Sequence, residues 1–159
     1  MLFETESVYT YDEYRKSVYG VWKESKRYVI FIMLAIFLIF AGIVNIIRDG
    51  SNFGWILILI AIIEPVLIFC LTESRIKKAY YSNKVLKDLA VHFKFYDDYF
   101  EVESKTGKSH IEYENLYKLY EKKDNFYPMT GSNMVYIIEK SRCSDGLISF
   151  LHDKALAVN

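Results

Sequence analysis

Two long apolar runs separated by five residues constrain the fold more than any other feature of this sequence. Residues 28–47 read YVIFIMLAIFLIFAGIVNII, and residues 53–71 read FGWILILIAIIEPVLIFCL. A helix of twenty residues rises about 30 Å, the thickness of a bilayer's hydrocarbon core. The first run has no charged residue, and fourteen of its twenty residues are Ile, Leu, Val or Phe. At about −0.4 kcal/mol each, these favour insertion by about 6 kcal/mol. We therefore predict a transmembrane helical hairpin over residues 28–71.

Two other interpretations of the runs are weaker. A core helix of a soluble protein is usually shorter and amphipathic, whereas these runs are apolar on all sides. A cleaved signal peptide would begin earlier than Tyr28 and would be followed by small residues at a cleavage site.

The basic residues around the runs predict the orientation of the hairpin. They are Lys23, Lys26 and Arg27 before the first run, and Arg75, Lys77 and Lys78 after the second. The loop between the runs carries only Arg48. Because basic residues stay on the cytoplasmic side, we expect a multi-pass protein of the cytoplasmic membrane with both termini inside the cell.

A basic segment follows the second run and is predicted to continue it as a connecting helix over residues 72–90. Arg75, Lys77 and Lys78 are candidate contacts for anionic lipid headgroups, which attract such residues by about 1 kcal/mol each. A solvated helix face is the plainer alternative. Nucleic-acid binding is not expected, because the sequence has no strongly basic domain and no recognisable reader motif.

The first 27 residues are predicted to form a short strand and a cytoplasmic helix. Residues 1–9 are rich in β-forming side chains. Thr10 then stands three residues before Glu13, the spacing of a capping box at a helix start. We expect this helix to continue into the first apolar run.

Residues 91–159 change from helical to alternating periodicity, which predicts a small antiparallel sheet or barrel. Val91, Phe93 and Phe95 point to one side, and Phe100 and Val102 continue this inner face after a turn at 97–98. Further strands are expected at 117–122, 125–129 and 133–139. Ser144 and Asp145 can start a last helix whose apolar face is formed by Leu147, Phe150, Leu151 and Ala155. The fold class is thus a membrane α+β protein, with a hairpin followed by a sheet that a C-terminal helix closes.

The order of these segments resembles the YcxB-like membrane proteins of bacteria. The resemblance rests on the basic segment RIKKAYYSN, the strand pair FKFYDDYFEVES, the stretch IEYENLYKLYEKKDNFY, the strand YIIEK and a helix containing Phe150. It implies a C-terminal domain of the pleckstrin-homology (PH)-like type and no known reaction.

No combination of residues in the sequence predicts an enzyme. His92 and His110 alternate with apolar residues and should face solvent, and no spacing suits a metal ion. No cofactor motif occurs, and Cys143 has no evident base beside it. Phosphoinositide binding by the PH-like domain is not expected either. Asp97 and Asp98 occupy the first strand-to-strand loop, where their carboxylates would repel the phosphate groups.

Glu64 and Pro65 form a candidate polar site within the second apolar run. Glu64 lies near the bilayer midplane, where a charged carboxylate costs about 2.5–3.5 kcal/mol. Pro65 has no N–H, so the carbonyl of Ala61 loses its helical partner. A proton or ion relay, a polar contact between chains, and a protonated Glu64 bonded locally all remain open.

These observations lead to two expected functions. The first is a non-enzymatic protein-binding or scaffolding module at the inner face of the bacterial membrane, with an unknown cytoplasmic protein as partner and peptide binding along a sheet edge as its mode. The alternative is a small homo-oligomeric channel or transporter subunit that uses Glu64 within the bilayer.

Overall fold

The structure is a computed structural model that describes residues 1–24, 27–50, 52–132 and 134–158. Its elements are β1 (Phe3–Tyr9), α1 (Tyr11–Glu24), α2 (Arg27–Asp49), α3 (Asn52–Ser82), β2 (Leu89–Phe95), β3 (Tyr99–Ser104), β4 (Gly107–Glu112), β5 (Lys118–Glu121), β6 (Asn125–Gly131), β7 (Met134–Val135), β8 (Ile138–Glu139) and α4 (Asp145–Val158). Short 3-10 turns lie at Tyr113–Asn115 and Lys140–Arg142.

The chain divides into two compact units. Met1–Gly20 and Tyr80–Asn159 form the first, called the sheet unit, and Val21–Ala79 form the second, called the hairpin unit. These boundaries differ from the predicted segments 1–27, 28–71, 72–90 and 91–159. The reason is that β1 pairs with β2 and so belongs to the same unit as the C-terminal residues.

The sheet unit contains two antiparallel sheets. The first has the strand order β1-β2-β3-β4, and the second has the order β5-β6-β7, with β8 also paired to β6. Among the described residues no strand pairing joins the two sheets into a closed barrel, so the barrel alternative is wrong. The 3-10 turn at Tyr113–Asn115 separates β4 from β5 and interrupts the run of paired strands.

The predicted inner face of the first sheet is confirmed. Phe93 and Phe95 are fully buried, and Val102 is 6% exposed. The backbone alternation places His92 and His110 on the other face, where both are exposed as expected. Burying each such aromatic or aliphatic side chain contributes about 1.5–3 kcal/mol.

Strand β1 ties the first sheet to the second through three hydrogen bonds. The hydroxyl of Tyr9 accepts the N–H of Ile137 at 3.0 Å. The N–H of Glu139 donates to the Ser7 hydroxyl at 3.1 Å. The Glu139 carboxylate in turn accepts the N–H of Val8 at 3.0 Å. Burial of Tyr9 raises the pKa of its hydroxyl, which favours the neutral form.

The connecting helix is shorter than predicted. We expected a helix through residue 90, but α3 ends at Ser82 and β2 begins at Leu89. The side chain of Asn83 accepts the N–H groups of Val85 and Leu86, both at 3.1 Å. These bonds replace helical ones and turn the chain. Asp88 then adopts a φ of 53°, a conformation that ends local helix formation before the strand.

The C-terminal helix α4 begins where predicted, since Ser144 accepts the N–H of Leu147 at 3.3 Å. Leu147 and Leu151 are almost fully buried, as expected. Phe150 is only partly buried, so its assignment to the core is wrong in degree. Its ring lies 5.6 Å from that of Phe3 at the margin of the core.

The predicted strand 133–139 is two short strands, β7 and β8. The N–H of Tyr136, between them, donates to the carbonyl of Pro128 at 2.8 Å. The pairing also shifts register between Met129 and Gly131, which ends a regular ladder at this point. The first residue of the predicted strand, Asn133, lies outside the described residues.

The hairpin unit contains the two predicted apolar helices. Both are long and apolar enough to cross a bilayer, by length and composition alone. A Cβ on Gly42 would lie 2.7 Å from the Gly54 carbonyl oxygen, and a Cβ on Gly54 would lie 2.5 Å from the Gly42 oxygen. Glycine at both positions therefore lets the two backbones approach closely. The predicted continuation of α1 into the first span involves Ser25 and Lys26, which lie outside the described residues.

Candidate functional site

Glu64 and Pro65 lie in the middle of α3, and Pro65 is accommodated inside the helix. Glu64 is partly buried and follows Ala61, which is 4% exposed, by one helical turn. The Oε2 atom of Glu64 is buried and has no hydrogen-bond partner among the described residues. Asn45, the amide of the first apolar run, donates instead to the carbonyl of Ala41 in its own helix at 2.9 Å. The hairpin thus leaves one oxygen of Glu64 unsatisfied.

The candidate headgroup contacts Arg75, Lys77 and Lys78 all lie on the exposed surface of α3. The buried residue between them is Ile76, at 4% exposure. Their exposure fits both a solvated helix face and contact with lipid headgroups, and the two interpretations of the sequence stay open.

A basic pocket of about 380 Å³ was missed by the sequence analysis. It is lined by Arg15, Lys16, Tyr19, Gly20, Lys122, Lys123, Asp124, Asn125 and Tyr127. Helix α1 and the β5–β6 turn supply its cations, and these segments are about a hundred residues apart. No local sequence pattern could therefore have brought them together.

The carboxylate of Glu13 already binds two of the side chains that line this pocket. Lys16 binds Glu13 at 2.7 Å, and this hydrogen bond raises the pKa of Lys16. The buried amide of Asn125 donates to Glu13 at 2.6 Å and to the Tyr127 hydroxyl at 3.0 Å. The cluster thus joins α1 to β6, and the charge of Lys16 is balanced by Glu13.

The outer face of the first sheet carries charge pairs between neighbouring strands. Lys108 lies 3.0 Å from Glu101, and Lys94 lies 3.6 Å from Glu103. Exposed pairs of this kind typically contribute less than about 1 kcal/mol each. These charged residues make the outer face of the first sheet hydrophilic.

The open edge of the first sheet is β4. Its residues are exposed except for Ile111, at 9%. Among the described residues β4 pairs with β3 only. The two-residue turn at 105–106 makes Ser104 and Gly107 a hydrogen-bonded pair, so bonded and non-bonded pairs alternate from there. The backbone N–H and C=O groups of Lys108, His110 and Glu112 consequently point away from β3.

A stack of rings lies beside this edge on the outer face. Tyr96 and Tyr99 have centroids 4.4 Å apart, and Tyr99 and His110 have centroids 4.1 Å apart. The stack orders the side chain at the middle of β4. The alternation in the sequence predicted that His110 is exposed. It predicted neither the ring stack nor the fact that β4 is an edge strand.

The thiol of Cys143 is held in a structural environment. Burial raises the pKa of the Cys143 thiol, which disfavours the nucleophilic thiolate. The Cys143 sulfur also lies 3.2 Å from the carbonyl oxygen of Glu139. Within the described residues no group of three or more His, Cys, Asp or Glu side chains is placed to hold a metal ion.

The fold defines an α+β protein with a pair of long apolar helices, two antiparallel sheets and a C-terminal helix. Residues 95–151 match the model of the YcxB-like protein family, which confirms the resemblance for that segment. The match runs from the last residue of β2 into α4 and leaves β1, α1 and the hairpin outside. No curated protein and no solved structure matches the chain significantly.

Proposed function

We propose that this protein is a membrane-anchored, non-enzymatic binding module at the inner face of the bacterial cytoplasmic membrane. The two apolar helices would anchor it, and the sheet unit, for which the YcxB-like resemblance implies a PH-like domain, would bind a protein partner. The observation that carries the proposal is the open edge of β4. Its outward N–H and C=O groups at Lys108, His110 and Glu112 offer a ready template for an added strand.

Photocrosslinking tests whether this edge binds a protein. A photoreactive phenylalanine analogue placed at Glu112 in the full chain should form adducts with a partner in membranes after illumination. The matched control is His92, which is also exposed on the outer face but lies on the central strand β2. Equal adduct yields at positions 112 and 92 would contradict binding through the edge.

A proline substitution provides the second part of the test. His110→Pro removes an N–H that points away from β3, so the bonds between β3 and β4 are kept and the strand should persist. We expect adduct formation at Glu112 to fall in this variant. Unchanged adduct formation would mean that the partner does not use the backbone of β4.

The second candidate function is a homo-oligomeric channel or transporter subunit, and the unsatisfied Oε2 of Glu64 favours it. An interhelical polar contact is worth about 0.6–2 kcal/mol. Glu64→Leu should therefore weaken association about 3- to 30-fold without preventing insertion, as measured by oligomer populations in one detergent. Ile63→Leu, at an exposed neighbouring position, is the control.

Equal oligomer populations for the wild type and Glu64→Leu would exclude Glu64 as a driver of assembly. Transport is tested separately in proteoliposomes. If ion flux occurs and Glu64→Gln abolishes it, the channel or transporter function is favoured over the binding module. Unchanged flux in this variant would contradict a role for Glu64 in transport.

A further inference from the structure

We infer that the partner of the β4 edge is a second copy of this chain. The two β4 strands would pair antiparallel about a twofold axis at His110. This inference rests on the proposed function, because it uses the same open edge and names what that edge binds. The argument comes from the spacing of the outward backbone groups and from the charges beside them.

The backbone groups fit this register. Lys108, His110 and Glu112 are the positions whose N–H and C=O groups point outward from β4. With His110 opposite the same residue of the second copy, Lys108 lies opposite Glu112 at both ends. Each opposed pair can then exchange two N–H···O=C bonds, which joins the two four-stranded sheets into one.

The charges favour this register over those centred on the other two outward residues and over a parallel pairing. A pairing centred on His110 places each Lys108 opposite a Glu112 of the other copy, and opposite charges facing across strands are stabilising. A pairing centred on Lys108 would place two lysines together, and one centred on Glu112 would place two carboxylates together. An in-register parallel pairing would also bring like charges side by side.

Lys108 would limit the pairing of this edge with unrelated strands. An exposed lysine on an edge strand normally opposes the addition of another strand. Here Lys108 already lies 3.0 Å from Glu101, and Glu112 accepts a hydrogen bond from the Asn115 amide at 2.6 Å. Each charge keeps a local partner in the single chain, and the second copy adds the opposite charge across the twofold axis.

The side chains do not obstruct the pairing. On the inner side of the strand, the small residue Ser109 would lie opposite Ile111 of the second copy, and Ile111 is 9% exposed in the single chain. On the outer side, His110 is already ordered against Tyr99. The twofold axis would therefore pass between two ordered imidazole rings.

Disulfide formation tests the register in the full chain, with Cys70 and Cys143 replaced by Ala. His110→Cys should crosslink to itself, because opposed residues in a bonded pair have Cα atoms about 5.5 Å apart, within disulfide range. Lys108→Cys is the matched control on the same face. Its two copies would be about 14 Å apart and should give at least about tenfold less dimer.

Mixing Lys108→Cys with Glu112→Cys should restore the crosslink, because these positions face each other in the inferred register. Equal self-crosslinking at positions 108 and 110 would overturn it. Monomer for every variant and for the mixture would overturn pairing between copies altogether.

Charge reversal provides an independent test in the His110→Cys background. Lys108→Glu leaves two acids on each edge, and Glu112→Lys leaves two lysines, so each variant alone should crosslink less than the parent. Mixed together they are complementary at both ends, and the mixed dimer should recover. Failure of the mixture to exceed both separate variants would contradict the inferred charge pairing.

These results separate the inference from the proposed function. If His110→Cys stays monomeric while the photoreactive residue at Glu112 still captures a different protein, the inference fails and the proposed function stands. If position 112 captures neither a second copy nor another protein, both fail. A dimer that forms equally in Glu64→Leu would also separate β4 pairing from association through α3.

Discussion

The carboxylate of Glu121 in β5 joins three separate segments of the sheet unit. Lys140 donates to Oε1 at 2.5 Å from the second 3-10 turn. The Nδ1 atom of His152 in α4 lies 2.5 Å from Oε2. Burial raises the pKa of this carboxyl, but the hydrogen bonds with Lys140 and His152 lower it by more, so the net pKa lies below the ordinary 4.5. The ionised carboxylate of Glu121 is therefore more stable, relative to its protonated form, in the folded chain than in the unfolded chain.

This lowered pKa predicts a loss of stability in acid. The contribution of Glu121 is fully present above the ordinary pKa of 4.5 and disappears as the pH falls through the lower folded-state pKa. Glu121→Gln should therefore be less stable than the wild type at neutral pH, by up to about 1 kcal/mol because the side chain is partly exposed. The two should converge below the folded-state pKa. Denaturant unfolding at a series of pH values measures the difference.

Glu114→Gln is the control for this experiment, since Glu114 is an exposed carboxylate in the same unit. Its difference from the wild type should change little over the same pH range. A constant difference between Glu121→Gln and the wild type from neutral pH into strong acid would contradict the assigned role of Glu121.

At the level of whole elements, local periodicity predicted where the strands and helices lie better than it predicted which strands pair with each other. The alternation around Phe93, Phe95 and Val102 predicted β2 and β3, because an apolar residue at every second position indicates a strand with one buried face. The capping residues Thr10 and Ser144 gave the starts of two helices, since a cap is a local hydrogen bond. Periodicity did not show that β1 pairs with β2, because that pairing joins residues at least eighty positions apart.

The candidate sites divide in the same way. Glu64 and Pro65 stood out in the sequence because a polar residue in an apolar run is a local anomaly. The open edge of β4 could not be recognised in the sequence, because it depends on how the strands are ordered in the folded sheet. The basic pocket depends on α1 meeting the β5–β6 turn, and only the tertiary fold brings Arg15 and Lys123 together.

Helix α4 allows a comparison of buried and exposed positions within one element. Leu151 is 1% exposed and Leu156 is 72% exposed. Leu151→Ala should destabilise the sheet unit by about 2–5 kcal/mol, because it removes buried methyl groups and leaves a cavity. Leu156→Ala should change stability by less than about 0.5 kcal/mol. Denaturant unfolding followed by the near-ultraviolet dichroism of the tyrosines would measure both.

Phe150→Ala should fall between these two leucine variants, because Phe150 is only partly buried. An equal cost for Leu151→Ala and Leu156→Ala would contradict the packing of α4 against the core. A larger cost for Phe150→Ala than for Leu151→Ala would show that the margin of the core matters more than its centre.

Across the whole molecule, the two units differ in how far their apolar side chains are buried. The sheet unit buries Phe93, Phe95 and Phe126 completely. The hairpin unit instead exposes large apolar residues along both helices, for example Phe37 at 64% and Trp55 at 63%. Exposed apolar surface of this extent marks a region that another apolar phase or partner covers. A bilayer is the covering that we propose, and the basic flanks set the expected orientation.

Cysteine accessibility tests that orientation in the full chain with Cys70 and Cys143 replaced by Ala. Asn52→Cys lies at the start of α3 beside the short loop, and Lys105→Cys lies at the exposed turn between β3 and β4. A membrane-impermeant maleimide added to intact bacteria should label position 52 and leave position 105 unlabelled, because the flanks with three basic residues each should stay inside. Opening the membrane with detergent should make both positions react, which controls for thiol reactivity. Labelling of position 105 but not 52 in intact cells would reverse the topology and move the β4 edge to the opposite side of the membrane.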